Sequence, residues 1–448
     1  MTSLNGIFDN GVLGMIAQSN AMGTVSDNIA NIDTVGYKRS NTVFQTLLGE
    51  QDGTTAPNDA TKTPGTASNQ NGVTSFTQQL VSVAGSIQET GNDFDLALPG
   101  NGMFVFQSIP AANSSGTTTT TTAGPVYGRA GNLQEVVPTT AAGTAGLTVN
   151  GVSLVANAAY LANQNGQLLL GAPVAQGQTQ ATLNGTTNLV PIQVSNAAPF
   201  PGAPTTSATL TAVIPAVGAN TVSTPVDYVD STGAQQPLTL TWSNPVRTPG
   251  AGVSWTLTVT DANGNTVGSP SQFSFDSQGN ATTTSIPITA NGTSFTVDTT
   301  GVQMLGSAQG NSSTGQALAV NTSYNQNGLP SGTFDGVQIN SDGTVVGQYS
   351  SGATQVLYQI PLAQFASPDN LQVLAGNVYA PTQASGAATL ALPGQGASTI
   401  DVGALEESNV DLSSEFTSMI LTQQAYNSSA QVVQAANQMS VTAENLIT

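Results

Sequence analysis

Apolar residues recur at helical spacing near the beginning of the chain. Between residues 10 and 31 they return at alternating steps of three and four, which is the pattern of a coiled-coil seam. Asp9 or Asn10 would cap the start of this helix. The predicted seam consists of Val12, Met15, Ser19, Met22, Ser26 and Ile29. The pattern therefore predicts one helix with a single apolar face.

A longer helix is predicted near the other end. Residues 404–448 contain neither Pro nor Gly, and the spacing of three and four returns there. We expect a helix over residues 409–446, capped by Asn409 or Asp411. Its predicted seam is Leu412, Phe416, Met419, Gln423, Tyr426, Ala430 and Val433, continued by Ala436, Met439, Ala443 and Leu446.

The middle of the chain alternates apolar and polar residues with a period of two. Residues 235–242 (QQPLTLTW) and 253–260 (VSWTLTVT) show this most clearly, and the turn sequences DANGN (261–265) and DSQGN (276–280) follow. Strands separated by turns about every ten residues are typical of sandwich- or barrel-like domains. The two turns resemble calcium loops only faintly, because they lack the acidic series and the closing Glu. Hairpin turns are therefore the favoured interpretation.

These patterns predict a mainly β fold with α-helical termini. The N- and C-terminal helices are expected to pair as a coiled coil, with β-rich domains inserted between them. The TTTTTT run at 117–122 is predicted to be a loop, and the Pro-rich stretch 191–225 a boundary or irregular connection. Three domains are predicted: a terminal helical domain (1–75 plus 404–448), a β-rich inner domain (76–172 plus 318–403) and a β-rich outer domain (173–317).

The two predicted helices need more apolar cover than they can give each other. A lone terminal pair would form a thin core, so neighbouring copies of the chain are the expected source of the missing surface. The residues expected to pack against the partner helix and against neighbouring copies are Met15, Met22, Ile29, Leu412, Phe416, Met419, Tyr426 and Val433.

Composition narrows the possible functions. The net charge of −19 disfavours nucleic acid and anionic membranes as partners, and no apolar stretch reaches the roughly 18 residues of a membrane span. The chain has no Cys and no His, which excludes disulfides and removes the commonest general base and zinc ligand. A carboxylate pair for glycoside hydrolysis stays open in principle among the 24 acidic residues. We expect no enzyme, no cofactor, no metal and no membrane insertion.

Two of the five basic residues, Lys38 and Arg39, stand side by side after the N-terminal helix. One interpretation is that they are solvated charges near a helix C-terminus, where the helix dipole favours them. The other is that they meet acidic residues such as Glu406 or Glu407 on another element or chain. Both interpretations stay open from the sequence alone.

The segment that carries these charges, DNIANIDTVGYKR (27–39), also suggests a specific turn. Gly36 would end the helix in the left-handed conformation, while Asn28 and Asn31 would bond backbone groups around it. The segment resembles the N-terminal signature of bacterial flagellar rod and hook proteins, N-I-A-N-x-N-T-x-G-[YF]-K, with Asp33 where Asn is commoner.

Three further stretches resemble the same family in the same order. They are GNDFDLALPGNGMFVF (91–106), VYGRAGNLQEV (126–136) and a C-terminal region of which GALEESNVDLSSEFTSMILTQQAYNSSAQVV (403–433) is the strongest part. The positions that match the signatures at the two ends are Asn28, Asn31, Thr34, Gly36, Tyr37, Lys38, Glu406, Ser408, Asn409 and Asp411.

The resemblance implies a structural protein of the flagellum that polymerises with itself. Because rod proteins of this family lack a large middle insertion, residues 173–317 favour a hook-type member, which forms a curved, flexible tube that acts as a universal joint. The alternatives are a distal rod-type member forming a straight, rigid tube, or a secreted β-rich adhesin. The implied partners are the distal rod, hook cap and hook–filament junction proteins and the flagellar type III export apparatus. The implied location is the extracellular hook, reached without signal-peptide cleavage.

Overall fold

A computed structural model gives the architecture of the chain, which is mainly β with one α-helix near each end. Helix α1 spans Thr2–Ala30 and helix α2 spans Leu412–Ile447, and the two helices pack against each other. The predicted fold class is therefore confirmed. The structure describes residues 2–47, 72–109, 124–138, 148–175, 177–183, 185, 188–215, 221–248, 252–276, 279–305, 321–395 and 398–447. The TTTTTT run at 117–122 lies outside the described residues.

The helix boundaries differ from the predicted ones at the N-terminal side. Helix α1 begins at Thr2, so Asp9 and Asn10 lie inside the helix and the prediction that one of them caps it was wrong. Gly11 does not interrupt α1, because it packs closely against α2, and such tertiary packing outweighs the low helix propensity of glycine. The helix ends at Ala30, so Gly36 lies beyond it and does not form its C-terminal cap.

Helix α2 begins close to the predicted position. The carboxylate of Asp411 accepts a hydrogen bond from the backbone N–H of Ser414 at 2.7 Å, and its carbonyl accepts the N–H of Glu415 at 3.0 Å. This is the geometry of an N-cap. Of the two candidates in the sequence, Asp411 rather than Asn409 therefore caps the helix.

The strands are numbered here in chain order. The first group is β1 (Ser40–Leu47), β2 (Gly72–Gln79), β3 (Ile87–Glu89), β4 (Leu96–Ala97), β5 (Phe104–Gln107), β6 (Val126–Gly128), β7 (Gln134–Val136), β8 (Thr148–Val149), β9 (Val152–Ser153), β10 (Tyr160–Ala162), β11 (Leu168–Pro173) and β12 (Val190–Pro191). The second group is β13 (Ser207–Pro215), β14 (Val222–Val229), β15 (Gln235–Thr248), β16 (Gly252–Asp261), β17 (Ser271–Ser274), β18 (Ser285–Ala290), β19 (Thr293–Leu305) and β20 (Asn321–Gln326). The last group is β21 (Phe334–Ile339), β22 (Thr344–Tyr349), β23 (Thr354–Gln359), β24 (Leu362–Gln364), β25 (Gln372–Leu374), β26 (Val378–Ala380), β27 (Thr389–Ala391), β28 (Asp401–Val402) and β29 (Ala404–Glu406).

The chain divides into two compact units. The first unit contains residues 1–196, 337–346 and 356–448, and the second contains residues 197–336 and 347–355. The division after residue 196 falls inside the Pro-rich stretch 191–225, which also holds β13 and the start of β14. The described residues between 173 and 196 lie in the first unit. The three-domain division stays a prediction.

The second unit contains two four-stranded sheets around one apolar core. Their strand orders are β18-β19-β13-β20 and β14-β15-β16-β17. The predicted hairpin is present, since β15 pairs with β16 in antiparallel register and Trp242 lies opposite Leu257. In the turn that follows, the N–H of Asp261 donates to the carbonyl of Asn265 at 2.9 Å. The period-two pattern therefore marks the inward-facing residues correctly, and both tryptophans are buried.

The first unit combines the helix pair with a larger sheet. Part of that sheet runs in the order β23-β11-β5-β6-β26-β25, with a core that includes Leu96, Phe104 and Phe106. The hairpin of β1 and β2 lies against α1, where the side chain of Asn20 donates to Ser75 at 3.1 Å. Two short ladders, β28 with β4 and β29 with β3, bring the returning chain back beside the early strands. These ladders place the residues that precede α2 next to those that follow α1.

Candidate functional site

Four separated motifs meet where the terminal helices join the β-rich part of the first unit. Three of the five basic residues of the chain lie here, although the chain carries 24 acidic residues. The motifs come together because β29 returns beside β3 and leads directly to α2. We call this place the junction and define it by Asn28, Gly36, Tyr37, Lys38, Arg39, Arg129, Glu406, Asn409 and Glu415.

The carboxylate of Glu406 is the centre of the junction. Its Oε1 accepts hydrogen bonds from Lys38 Nζ at 2.6 Å and from the N–H of Gly85 at 2.8 Å. Arg129 binds both carboxylate oxygens, with Nε 2.9 Å from Oε2 and Nη2 3.1 Å from Oε1. The side chains of Lys38, Arg129 and Glu406 are 0%, 2% and 1% exposed. One buried anion therefore holds two buried cations from distant parts of the chain.

Arg129 has a partner for each of its five guanidinium N–H groups. Besides its two bonds to Glu406, Nη1 donates to the carbonyls of Gly100 at 2.6 Å and Gly102 at 2.5 Å. The remaining N–H on Nη2 donates to the carbonyl of Leu98 at 3.2 Å. A lysine could not make this set of bonds, because only the planar guanidinium offers five donors in a fixed fork. The second and third family-like stretches thus meet through this one side chain.

The electrostatics of the junction favour an ionised Glu406. Burial alone would raise the pKa of this carboxyl group, but the charges and hydrogen bonds of Arg129 and Lys38 outweigh burial and hold the pKa below its usual value. A buried ion pair adds little net stability compared with apolar packing, yet removing one partner costs about 3–5 kcal/mol because a buried charge is left uncompensated. The junction is therefore sensitive to the loss of any one member.

Asn28 connects α1 to the chain that follows it. Its Nδ2 donates to the carbonyl of Ser40 at 2.8 Å and to Glu415 Oε2 at 3.2 Å, while its Oδ1 accepts the N–H of Ser40 at 2.8 Å and the hydroxyl of Tyr37 at 3.2 Å. The other carboxylate oxygen of Glu415, Oε1, accepts a hydrogen bond from Nε of Arg39 at 2.5 Å. Because Glu415 lies in the first turn of α2, these bonds tie the end of α1 to the start of α2.

The turn after α1 requires glycine at position 36. Gly36 has a φ of +65°, and a Cβ atom there would lie 2.7 Å from the backbone nitrogen of Ala130. Its N–H donates to the carbonyl of Glu406 at 2.7 Å. Inside the turn, the hydroxyl of Thr34 donates to Oδ1 of Asn31 at 3.1 Å. The left-handed conformation predicted for Gly36 is present, but its reason is the close approach of two chain segments.

Asn409 fastens the chain just before α2. Its Oδ1 accepts the N–H of Arg39 at 2.6 Å, and its Nδ2 donates to the carbonyl of Val83 at 2.9 Å. The hydroxyl oxygen of the preceding residue, Ser408, accepts a hydrogen bond from the N–H of Val410 at 3.4 Å. The N-terminal and C-terminal signatures therefore bind each other through main-chain and side-chain groups.

The structure decides between the two interpretations of the basic pair. The ion pair of Lys38 with Glu406 is confirmed, and the solvated interpretation is wrong for Lys38, which is fully buried. Arg39 instead pairs with Glu415, which the sequence did not suggest as its partner. The carboxylate of Glu407 accepts the hydroxyl of Ser86 at 2.6 Å.

Two residues of the junction were missed by sequence reasoning. Arg129 lies in one of the family-like stretches and is one of only five basic residues, so its scarcity was a usable signal. Glu415 is an acidic residue in the first turn of α2, a position that the helix dipole favours. No local pattern predicts that it is buried against Asn28 and Arg39.

Small residues are buried on both helices, and Gly11 and Gly14 of α1 lie against α2. On α1 the buried positions include Gly11, Ala17 and Ala21, and a Cβ atom on Gly11 would come within 2.6 Å of Val433. Ala436 is the corresponding buried residue on α2. The absence of a side chain at Gly11 and Gly14 allows the two backbones to approach closely there.

Apart from Ala436 itself, the described seam residues expected from the sequence are less buried than the small residues Ala17, Ala21 and Ala436. Among them, the structure leaves half-buried Met15, Met22, Ile29, Met419 and Val433. Leu412, Phe416 and Tyr426 are exposed in the single chain. Contacts of these residues with neighbouring copies stay a prediction. Other large apolar side chains exposed on the two helices are Ile7, Phe8, Ile16, Ile420, Leu421, Val432, Met439 and Val441.

Two features are absent from the described part of the chain. No three side chains of His, Cys, Asp or Glu gather there in a way that would hold a metal ion. Neither helix, over its described residues, combines the length and the apolar character needed to span a membrane.

Comparisons with known proteins match the two ends of the chain. Residues 8–38 match the family described as flagella basal body rod protein, and residues 402–446 match the family described as flagellar basal body rod FlgEFG protein C-terminal. Paired terminal helices joined through a buried junction to inserted β structure thus define a subunit of the flagellar rod and hook class. The flagellar hook protein FlgE of Brucella melitensis is 31% identical to this chain over 456 residues, covering 96% of each. The chain belongs to the flagellar hook protein family.

Other relatives agree in name. The flagellar hook protein FlgE of Rhizobium meliloti is 29% identical over 98% of each chain, and that of Salmonella typhimurium is 44% identical over 152 residues, or 34% of this chain. A crystal structure of the Helicobacter pylori flagellar hook protein FlgE2 aligns with a TM-score of 0.45 and 12% identity, covering 70% of this chain and 98% of that one.

Proposed function

We propose that this chain is the subunit of the bacterial flagellar hook and polymerises with itself into a curved, flexible tube. The tube passes torque from the rod to the filament while it bends, as a universal joint does. The observation that carries this proposal is the set of large apolar side chains that remain exposed on the paired terminal helices.

The helix pair lacks the surface needed to cover these side chains. Phe416 is 49% exposed and Leu421 is 61% exposed, although both lie on a helix that already has a partner. Large apolar residues in a soluble protein are normally exposed singly, whereas here they recur along both helices. Full burial of one such side chain is worth about 1.5–3 kcal/mol, so neighbouring copies would gain many such contributions along a lattice.

The distribution of charge supports flexibility between copies. Within the described residues, the three ion pairs all lie at the junction. Charged residues make up only 6% of the sequence. Polar, nearly uncharged outer surfaces can slide past each other without breaking strong ion pairs. We infer that bending uses this sliding and requires no ligand.

The same function assigns partners and a location. The subunit adds to the distal rod, assembles beneath the hook cap and adjoins the hook–filament junction proteins. It reaches the extracellular hook through the flagellar type III export apparatus. The absence of cysteine suits a chain that crosses the cell envelope unfolded, because no thiols can cross-link on the way.

Electron microscopy of purified, assembled protein tests this proposal. Curved tubes are expected; straight tubes would favour a rod, and the absence of tubes would contradict polymerisation. Phe416→Asp should abolish tubes while export continues, because it places a charge in the apolar face. Gln424→Asp is the matched control, since it adds the same charge at an exposed polar position of the same helix. Intact tubes from Phe416→Asp would refute the role of this face.

A further inference from the structure

Glu406 is held from two sides at the junction. Lys38 reaches it from the chain that follows α1, and Arg129 reaches it from the end of β6. Glu406 itself ends β29, shortly before α2 begins. Arg129 also binds the carbonyls of the loop between β4 and β5. The guanidinium therefore connects the β strands of the first unit to the segment that carries α2.

The connecting segments at the junction have little freedom to act as a hinge. Hinges are short segments that absorb changes in φ and ψ. Here the N–H of Gly36 donates to the carbonyl of Glu406, and Asn409 binds both the N–H of Arg39 and the carbonyl of Val83. Both chain segments between the helices and the β strands are thus bonded across the junction.

Opening the junction would also be electrostatically costly. Glu406 is held on β29 by its bonds to Arg129, so rotation of the helix pair would pull Lys38 away from Glu406 while both groups remain buried. A buried charge that loses its partner is strongly destabilised, and a fully paired network loses several bonds together. The helix pair and the β strands of the first unit also form one compact unit.

We propose that Arg129, acting through Glu406, is the positioning residue that fixes the helix pair rigidly to the β strands of the first unit. The junction then transmits torque as a stiff connection, and bending of the tube occurs at other contacts. The mechanical consequence rests on the proposed hook function, whereas the rigidity of the junction does not depend on it.

The absence of cysteine allows a direct measurement of this rigidity. Gln431→Cys on α2 and Gln134→Cys on β7 introduce two exposed thiols that take spin labels at defined places. Doubly labelled full-length subunits are diluted into unlabelled subunits and assembled into tubes. The expected result is one narrow distribution of distances between the two labels. A broad distribution in the otherwise unchanged protein would overturn the proposal.

Variants of Arg129 separate positioning from simple stabilisation. Arg129→Met should broaden the distance distribution about twofold at temperatures where the protein stays folded, because the connection through Glu406 is lost. Arg129→Lys keeps the charge without the fork, and we expect an intermediate width. Leu168→Ala is the control for stability: it opens a cavity in a separate apolar cluster of the first unit and leaves every junction bond in place, so it should lower the melting temperature without broadening the distribution.

Each result has a defined meaning. A fall in melting temperature with unchanged width in Arg129→Met would show that this residue only stabilises, and would overturn the proposal. If Arg129→Met does not fold, Arg129→Lys and the unchanged protein carry the test. If the unchanged protein forms no tubes, the proposed function fails, and the same widths measured on single subunits still decide whether the junction is rigid.

Discussion

The helix pair and the second unit differ in which of their apolar side chains are buried. The second unit buries its large aromatic residues, including Trp242, Trp255 and Phe273, inside its own core. The helix pair buries Gly11, Ala17 and other small residues, and leaves large ones exposed. One region therefore completes its core within the chain, while the other leaves large apolar side chains exposed in the single chain. The difference separates residues that stabilise the subunit from residues available for assembly.

The largest loss of stability is expected from a substitution in the core of the second unit. Trp242→Ala should lower the free energy of unfolding of the single chain by about 3–5 kcal/mol, because the fully buried ring leaves a large cavity. Denaturant unfolding followed by tryptophan fluorescence of Trp255 measures this change. A loss below about 1 kcal/mol would mean that this core is not closed within the chain.

The next largest loss of stability is expected where Gly11 of α1 lies against α2. Gly11→Ala places a Cβ atom 2.6 Å from Val433, so either the helices move apart or the valine must shift. Overpacking of this kind costs about 1–3 kcal/mol. Circular dichroism during thermal unfolding should show the loss. Gly23→Ala is the control, because its Cβ atom would meet nothing within 4 Å and alanine favours a helix. Equal effects of the two substitutions would contradict the small-residue contact.

Acid should weaken the junction in a defined direction. The pKa of Glu406 is lowered in the folded chain, so its contribution to stability is present above the ordinary carboxyl value of 4.5 and is lost as pH falls through the folded value. The melting temperature should therefore drop more steeply below about pH 4.5 in the unchanged protein than in Glu406→Gln. Identical acid dependence in both proteins would contradict the ionised, paired state of Glu406.

The smallest effect on the single chain is expected on the exposed helix face. Ile420→Ala should change the free energy of unfolding of the subunit by less than about 0.5 kcal/mol, because this side chain is mostly exposed. The same substitution should raise the protein concentration needed for assembly, measured by sedimentation of tubes. A large loss of subunit stability without an assembly defect would assign Ile420 to the core of the single chain.

Local patterns predicted the elements better than the contacts between them. The alternation of Leu238, Leu240 and Trp242 identified buried strand positions, because side chains on a strand alternate between two faces. On the helices, however, the apolar pattern selected large residues such as Phe416, which is exposed in the single chain, whereas the residues that are buried there include Ala17 and Ala436. Periodicity shows which residues share a face, but it does not show whether that face meets the same chain or another copy.

The junction also shows that local patterns do not predict which distant residues come into contact. Lys38 and Glu406 were placed together because both stood in terminal signatures, and they do pair. Arg129 and Glu415 were not placed, because no matching pair of signatures linked them to their partners, which lie 277 and 376 residues away. Pairing over such separations depends on how the strands return, which no local spacing specifies.

The sequence by itself determined the helices at both ends, the hairpins between them, the lack of Cys and His chemistry and the membership of the rod and hook class. These properties follow from the periods of helix and strand, from composition and from short motifs, all of which are local. Only the tertiary structure decided that one buried carboxylate binds Lys38 and Arg129, that Arg129 in turn binds the loop before β5, and that Gly11 lies against α2. Those outcomes depend on the close approach of distant segments, because a buried charge without a partner and an extra methyl group in a packed contact both lower stability.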